Sequence, residues 1–226
     1  MIFDIDGTLV DTNPSHIEAW RRAFARFDFP IPPERIRVEV GKGGDLLVPS
    51  ILGEELETKC GDALRKAQKE EFLQIAERVH FQVFPQVPEL FEALRERGIR
   101  TALATSSDKK HLQATIRSAG LDLARLAGEL ITKDDADASK PAPDLILAAL
   151  EKLDAGPTEC AIVGDTIYDG QAAQAAGVAF IAVLSGCTTE AELLKAGACG
   201  VWRDTSHIYA ELDRVLEIAS LAAATH

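Results

Sequence analysis

The chain has 226 residues, 46% of them hydrophobic and 27% charged, with a net charge of −12. That balance supports a sizeable buried core, either one large domain or a core with a smaller insertion. With no basic stripe it argues against a nucleic-acid partner, and no apolar run is long enough to span a bilayer, which argues against a membrane one.

The first stretch is MIFDIDGTLVDT. Met1-Ile2-Phe3 reads as a buried strand, but a very short one with no signal peptide before it, so a clipped strand that places Asp4 loosely is expected. Asp4 and Asp6 follow at once, before Gly7, whose freedom permits a sharp turn. Two carboxylates at the end of a buried strand repel each other and lose hydration. Their position calls for a cation between them, or for covalent chemistry at one of them.

Residues 13–81 read as an inserted helical block, a lid or cap. Helical stretches at 14–27 and 54–79 flank a proline-rich turn at 29–36, and no strand pattern interrupts them. Within the block, GKGGD at 41–45 lacks the GxxxxGK[ST] spacing and follows no strand, so it reads as a glycine-rich turn. FQVFPQVPEL, at 81–90, would be the return crossing. The core is then 1–12 with 82–226.

From there strand and helix alternate. Strands are expected within 99–105, 128–132, 160–164 and 178–184, with a weaker one at 198–202. Helices are expected at 88–98, stopping on Gly98, at 108–120 behind Asp108, at 143–153 and at 169–177. Alternation of this kind predicts an α/β fold with a doubly wound parallel sheet. The tail ASLAAATH is expected to fray. Cys60, Cys160, Cys187 and Cys199 form no CxxC pair and read as reduced thiols of a cytoplasmic protein.

In open parallel sheets ligands bind beyond the carboxyl ends of the strands. Four such ends carry or lead into polar groups: Asp4 and Asp6; Thr105 and Ser106; Lys140; Asp165 and Asp169. Carboxylates of this kind suit a hard cation such as Mg²⁺. Lysine and hydroxyl donors suit phosphoryl oxygens, and a chain this negative needs such groups to accept a phosphorylated substrate.

The ordered set DIDGT (4–8), ATS (104–106), SKPAPD (139–144) and GDTIYD (164–169) resembles the haloacid dehalogenase superfamily of Asp-dependent phosphohydrolases. The likeness is nearest to its helical-cap group, which includes phosphoglycolate phosphatases and β-phosphoglucomutases. The resemblance implies a Rossmann-like core with an inserted α-helical cap, Mg²⁺ as cofactor and a small phosphorylated metabolite as substrate. It implies Asp4 as nucleophile and metal ligand. Asp6 would be general acid and base, with its backbone carbonyl on the metal. Asp165 would be a metal ligand, and Asp169 a ligand through water or a support. Ser106, or less favourably Thr105, would hold the phosphoryl group, with Lys140 bridging nucleophile and phosphate. His16 and Lys42 of the cap are candidate substrate contacts.

Other readings were weighed. A calcium loop fails because Leu9 and Ser15 stand where glycine and glutamate are needed. A sugar-phosphate mutase remains the alternative, although GKGGDLL offers no arginine for a second phosphate. A dehalogenase needs neither Asp6 nor the Asp165/Asp169 pair, and a non-catalytic module would not keep every motif residue. Asp134, Asp135 and Asp137 read as a solvated turn, Trp20 as packing, and Asp169 as a helix cap as well as a site residue. His80, His111 and His207 show no ligand-like spacing.

Overall fold

Six short apolar segments become strands: β1 (Ile2–Phe3), β2 (Ala102–Ala104), β3 (Glu129–Ile131), β4 (Ala161–Gly164), β5 (Ala179–Val183) and β6 (Ala198–Trp202). The computed structural model, which describes residues 1–223, joins them in one parallel sheet of order β3-β2-β1-β4-β5-β6. Alternate residues face opposite sides. Phe3, Leu103, Val163 and Ile181 enter one apolar cluster, and Ile2, Ala102, Ile162 and Phe180 enter the other. Because helices cover both faces, the strands need apolar side chains at successive positions rather than an alternating pattern.

The first strand is as short as expected but not loose. Ile2 and Phe3 are fully buried between β2 and β4. The Asp4 amide donates to the Val163 carbonyl at 2.9 Å, and the Met1 amino group donates to the Arg100 carbonyl at 2.6 Å. Pairing on both sides therefore fixes Asp4, and the expectation of loose placement is corrected.

The inserted block holds α1 (Asn13–Ala25), α2 (Pro33–Arg37), α3 (Gly44–Leu52) and α4 (Glu54–Ala76). Ile17, Trp20, Phe24, Ile36, Leu47 and Leu64 form its own apolar cluster, while Phe72, Ile75 and Ala76 join the main core. The block is thus anchored through the end of α4. The return segment pairs with the residues after β1: the Asp11 amide donates to the Gln82 carbonyl at 2.8 Å and the Phe84 amide to Leu9 at 2.9 Å.

The remaining helices are α5 (Val87–Glu96), α6 (Lys109–Ala119), α7 (Leu123–Leu126), α8 (Asp144–Leu153), α9 (Ile167–Ala176), α10 (Glu190–Lys195), α11 (Thr205–Ala210) and α12 (Leu212–Ala223). Asp108 caps α6 by accepting from the Lys110 and His111 amides, and Gly120 ends it in the left-handed region. α12 runs to Ala223, and the rest of the expected fray, 224–226, lies outside the described residues. Short helices such as α3 and α10 escaped the sequence reading because one or two turns carry little periodicity.

Candidate active site

β1 lies between β2 and β4, so the chain leaves the sheet in opposite directions at its carboxyl end. That crevice receives Asp4 and Asp6 from the end of β1, and Asp165 and Asp169 from the end of β4. Ser106 and Ser107 come from the end of β2, and Lys140 from the loop before α8.

Lys140 is only 1% exposed. Its Nζ lies 2.5 Å from Asp4 Oδ1 and 2.7 Å from Asp169 Oδ1, and it donates to the Ala104 carbonyl at 3.3 Å. Asp4, Asp165 and Asp169 are all buried, and each offers a carboxylate oxygen within 4.8 Å of the others. Thr8 Oγ1 and Asn13 Nδ2 donate to the two oxygens of Asp165 at 3.0 and 3.2 Å. Thr166 donates to Asp169 Oδ2 from its hydroxyl at 2.6 Å and its amide at 3.0 Å, which caps α9. Asp169 therefore completes the capping box of α9 while its other oxygen lies against Lys140.

Lys140 is paired with two of the four clustered carboxylates, Asp4 and Asp169. Burial pushes Asp4 well above the ordinary carboxylate range despite Lys140 beside it. Burial, then the charge of Asp169, pushes Asp165 up to about 7. Burial works against the Lys140 ammonium, but Asp169 and Asp4 outweigh it and hold it above its ordinary value. Asp6 behaves oppositely. Burial would raise it, yet His16, Thr12 and Ser107 hold it well below the ordinary range. Its Oδ1 accepts from Thr12 at 2.7 Å and lies 3.3 Å from His16 Nε2; its Oδ2 accepts from Thr105 at 3.1 Å and Ser107 at 3.0 Å.

An all-oxygen donor set with excess negative charge fits a divalent hard cation. Glycine leaves the room: a Cβ on Gly7 would collide with Asn13 Nδ2 and Asp165 Oδ2, and one on Gly186 with Asp165 itself. Gly7 also holds φ at +85°, which other residues rarely adopt.

Above the carboxylates lies a cavity of about 490 Å³, roofed by α1, α4 and the 40–44 turn. Ser106 lines it, with a buried Oγ that has no partner among the described residues. Thr105 differs from the expectation. It is fully buried, and its hydroxyl is committed to Asp6 and the Ser107 amide rather than to the cavity. His16 lines the cavity, stacked on Phe72 with ring centroids 4.2 Å apart. Lys42 also lines it, but it ion-pairs with Glu39, donates to Ser50 Oγ at 2.7 Å and lies over the Tyr168 ring. Trp20 packs in the cap cluster and shows one edge to the cavity. Asp134 and Asp135 are exposed and hydrogen-bond backbone amides of their own turn and of α6.

Several neighbours of the carboxylates and of the cavity carry no motif signal. Thr8, Thr12 and Asn13 follow the first motif as its second layer of hydrogen bonds, and Ser107 stands one residue beyond the second motif. The polar run DTN and the doubled serine were the available signals. His111 and Gln68 also line the cavity, and neither has a spacing signal.

A model of the haloacid dehalogenase-like hydrolase family matches residues 1–177. The chain belongs to this family. It is 31% identical over 191 residues to a phosphoglycolate phosphatase of Pasteurella multocida, covering 81% of this chain and 84% of the relative. It is 32% identical over 202 residues to a phosphorylated carbohydrates phosphatase of Thermotoga maritima, covering 88% and 91%. Its fold matches a hydrolase from Pseudomonas syringae with a TM-score of 0.87 at 29% identity, over 95% of this chain and 97% of that one. This haloacid dehalogenase-like hydrolase is an enzyme of the phosphatase class. None of its described helices is long and apolar enough to cross a membrane.

Proposed function

We propose that this hydrolase is a Mg²⁺-dependent phosphatase of small phosphorylated metabolites that works through an aspartyl-phosphate on Asp4. The observation that carries the reading is the pairing of Asp4 with Lys140 in a buried carboxylate cluster, while Asp6 stands two residues away on a separate set of hydrogen bonds.

Asp4 attacks phosphorus, and the bond from phosphorus to the ester oxygen breaks. Asp6 gives its proton to the leaving oxygen, then takes one from the water that attacks the aspartyl-phosphate and releases inorganic phosphate. A phosphoryl dianion beside Asp6 raises its proton affinity toward the acid role. His16, Thr12, Thr105 and Ser107 hold that carboxylate in position. Lys140 keeps Asp4 aimed and shares its charge with the phosphoryl oxygens, and the unpartnered Ser106 hydroxyl donates to one of them. Asp4, Asp165 and the Asp6 carbonyl would hold Mg²⁺, with Asp169 behind. Bound there, the ion neutralises charge on the phosphoryl group as it transfers.

Residues 13–81 serve as the cap over this site, with 1–12 and 82–226 as the catalytic core. Cap and core meet through Lys69 and Asp108 at 2.5 Å, Lys133 and Asp45 at 3.3 Å, and Tyr168 with the Val38 carbonyl at 3.2 Å. A closed cap excludes water and commits the substrate. His16 and Lys42 face the substrate from it. The four free cysteines fit the reducing cytoplasm. A mutase needs free cations in the cap for a second phosphate. Arg65 is tied to Glu57 and Asp62, and Lys42 to Glu39, which favours hydrolysis.

The test is phosphate release from a panel of phosphorylated metabolites, with and without Mg²⁺, for the parent enzyme and Asp4→Asn. Release that a chelator abolishes, that Mg²⁺ restores and that the variant lacks is expected. Full activity in Asp4→Asn, or rates indifferent to metal, would sink the mechanism.

A further inference from the structure

The cavity wall facing the carboxylates carries charge that is already in use. Lys42 pairs with Glu39, Arg65 with Glu57 and Asp62, Lys69 with Asp108, and Lys133 with Asp45. Lys66 is the lining cation without a carboxylate partner among the described residues, and it stands exposed at the rim. The wall is polar, but it offers no buried free cation to a second anionic group.

Two further polar side chains on the same wall keep at least one atom without a partner among the described residues. Gln68 of α4 is 7% exposed and lines the cavity, and none of the described residues hydrogen-bonds its amide. That amide is absent from the atoms sealed off by protein, so it stays reachable from the cavity. His111 of α6 is buried and lines the same cavity. Its Nδ1 lies 3.2 Å from Asp108 Oδ1, and its Nε2 is enclosed without a partner among the described residues. Phe72, one turn beyond Gln68 on α4, packs with its ring 4.9 Å from the His111 ring, so both groups border one corner.

Buried polar groups are nearly always partnered, so the enclosed Nε2 of His111, with the reachable Gln68 amide on the same wall, points to a ligand. Their chemistry indicates which. An amide donates and accepts, and the His111 imidazole, whose Nδ1 faces Asp108, leaves Nε2 for a ligand. A hydroxyl matches both. A carboxylate or a fully ionised phosphate only accepts, whereas a hydroxyl also donates, and Lys66, the lining cation left unpaired among the described residues, stands at the exposed rim.

We propose that Gln68 and His111 form a subsite for hydroxyl groups on the carbon chain of the substrate, so that the enzyme prefers phosphate esters of polyols and sugars to those of short carboxylic acids. The inference rests on the phosphatase reading above, and it makes Gln68 and His111 specificity-determining residues.

The test compares kcat/KM for glycerol 3-phosphate, ribose 5-phosphate, propyl phosphate and phosphoglycolate. The parent enzyme should favour the hydroxylated esters over propyl phosphate by about tenfold or more, the worth of one well-made hydrogen bond. Gln68→Leu replaces the amide by a branched apolar side chain one atom shorter. It should lower glycerol 3-phosphate turnover about tenfold, several-fold more than it lowers propyl phosphate. Gln68→Glu keeps an acceptor, so it should retain more of the hydroxyl preference and lose further activity on phosphoglycolate. His111→Phe, which keeps the packing on Phe72, should narrow the same ratio. Preference of the parent for phosphoglycolate, or an equal loss on all esters in Gln68→Leu, overturns the subsite and leaves the phosphatase reading standing. No turnover of any ester overturns both.

Discussion

The floor and the roof of the cavity are built on different principles. On the floor, side chains arrive from the ends of β1, β2 and β4, and the charged groups are almost wholly buried. Lys140 binds two carboxylates, Asp6 has four partners, and Asp165 has a donor on each oxygen. On the roof, Arg65 pairs with carboxylates of α4 itself and keeps 21% of its side chain exposed, and Lys69, paired with Asp108, keeps 52%. A buried charge that loses its partner is costly, whereas a half-exposed one falls back on water. On the proposed mechanism, chemistry is thus held by groups with no alternative arrangement, and selection by groups that have one.

The strongest way to break this contrast is Lys140→Met, which leaves Asp4 and Asp169 without their shared cation. Turnover should fall on the order of 10²–10³-fold, and unfolding in urea should reveal a loss of about 3–5 kcal/mol. A stability change below about 1 kcal/mol would place Lys140 among ordinary paired lysines rather than in a group with no alternative.

Gly186→Ala probes the floor without touching a charge. The new Cβ would press on the Asp165 carboxylate. The Mg²⁺ concentration giving half-maximal activity should rise about tenfold or more, as for other displaced supports of a metal ligand. An unaltered metal titration would mean that Asp165 relaxes freely, contrary to its two hydrogen bonds.

The roof should respond least. Lys69→Met removes the 2.5 Å pair with Asp108, but the Lys69 side chain is 52% exposed. Solvent screening limits such a pair to about 0.2–1 kcal/mol, so the melting temperature should move by about 1–3 °C. KM should rise a few-fold as the cap seam loosens. A larger loss in kcat than in KM would show that this seam belongs to the catalytic floor.

Much of the floor was legible because its residues are tied to strand ends by sequence distance. Asp4, Asp6, Asp165 and Asp169 follow apolar runs directly, so identifying the strands located the carboxylates. Lys140 was found through its motif, although the loop that carries it has no periodicity to read. Thr105 stood as the less favoured alternative to Ser106, and the structure ties its hydroxyl to Asp6 because neighbouring residues leaving a strand point in different directions. His111 was passed over for want of ligand spacing, since α4 and α6, which bring it beside Phe72 and Gln68, lie far apart in the chain.

The sequence by itself determined the α/β alternation, the inserted helical block and the motif residues, because each is encoded in local hydrophobic pattern and short-range spacing. Only the tertiary structure decided that a two-residue first strand holds Asp4 firmly, that Lys42, Arg65 and Lys69 are already paired, and that the Gln68 amide and His111 Nε2 have no partner among the described residues. Those outcomes depend on which side chains meet across long sequence separations, and on which buried polar groups find a partner there.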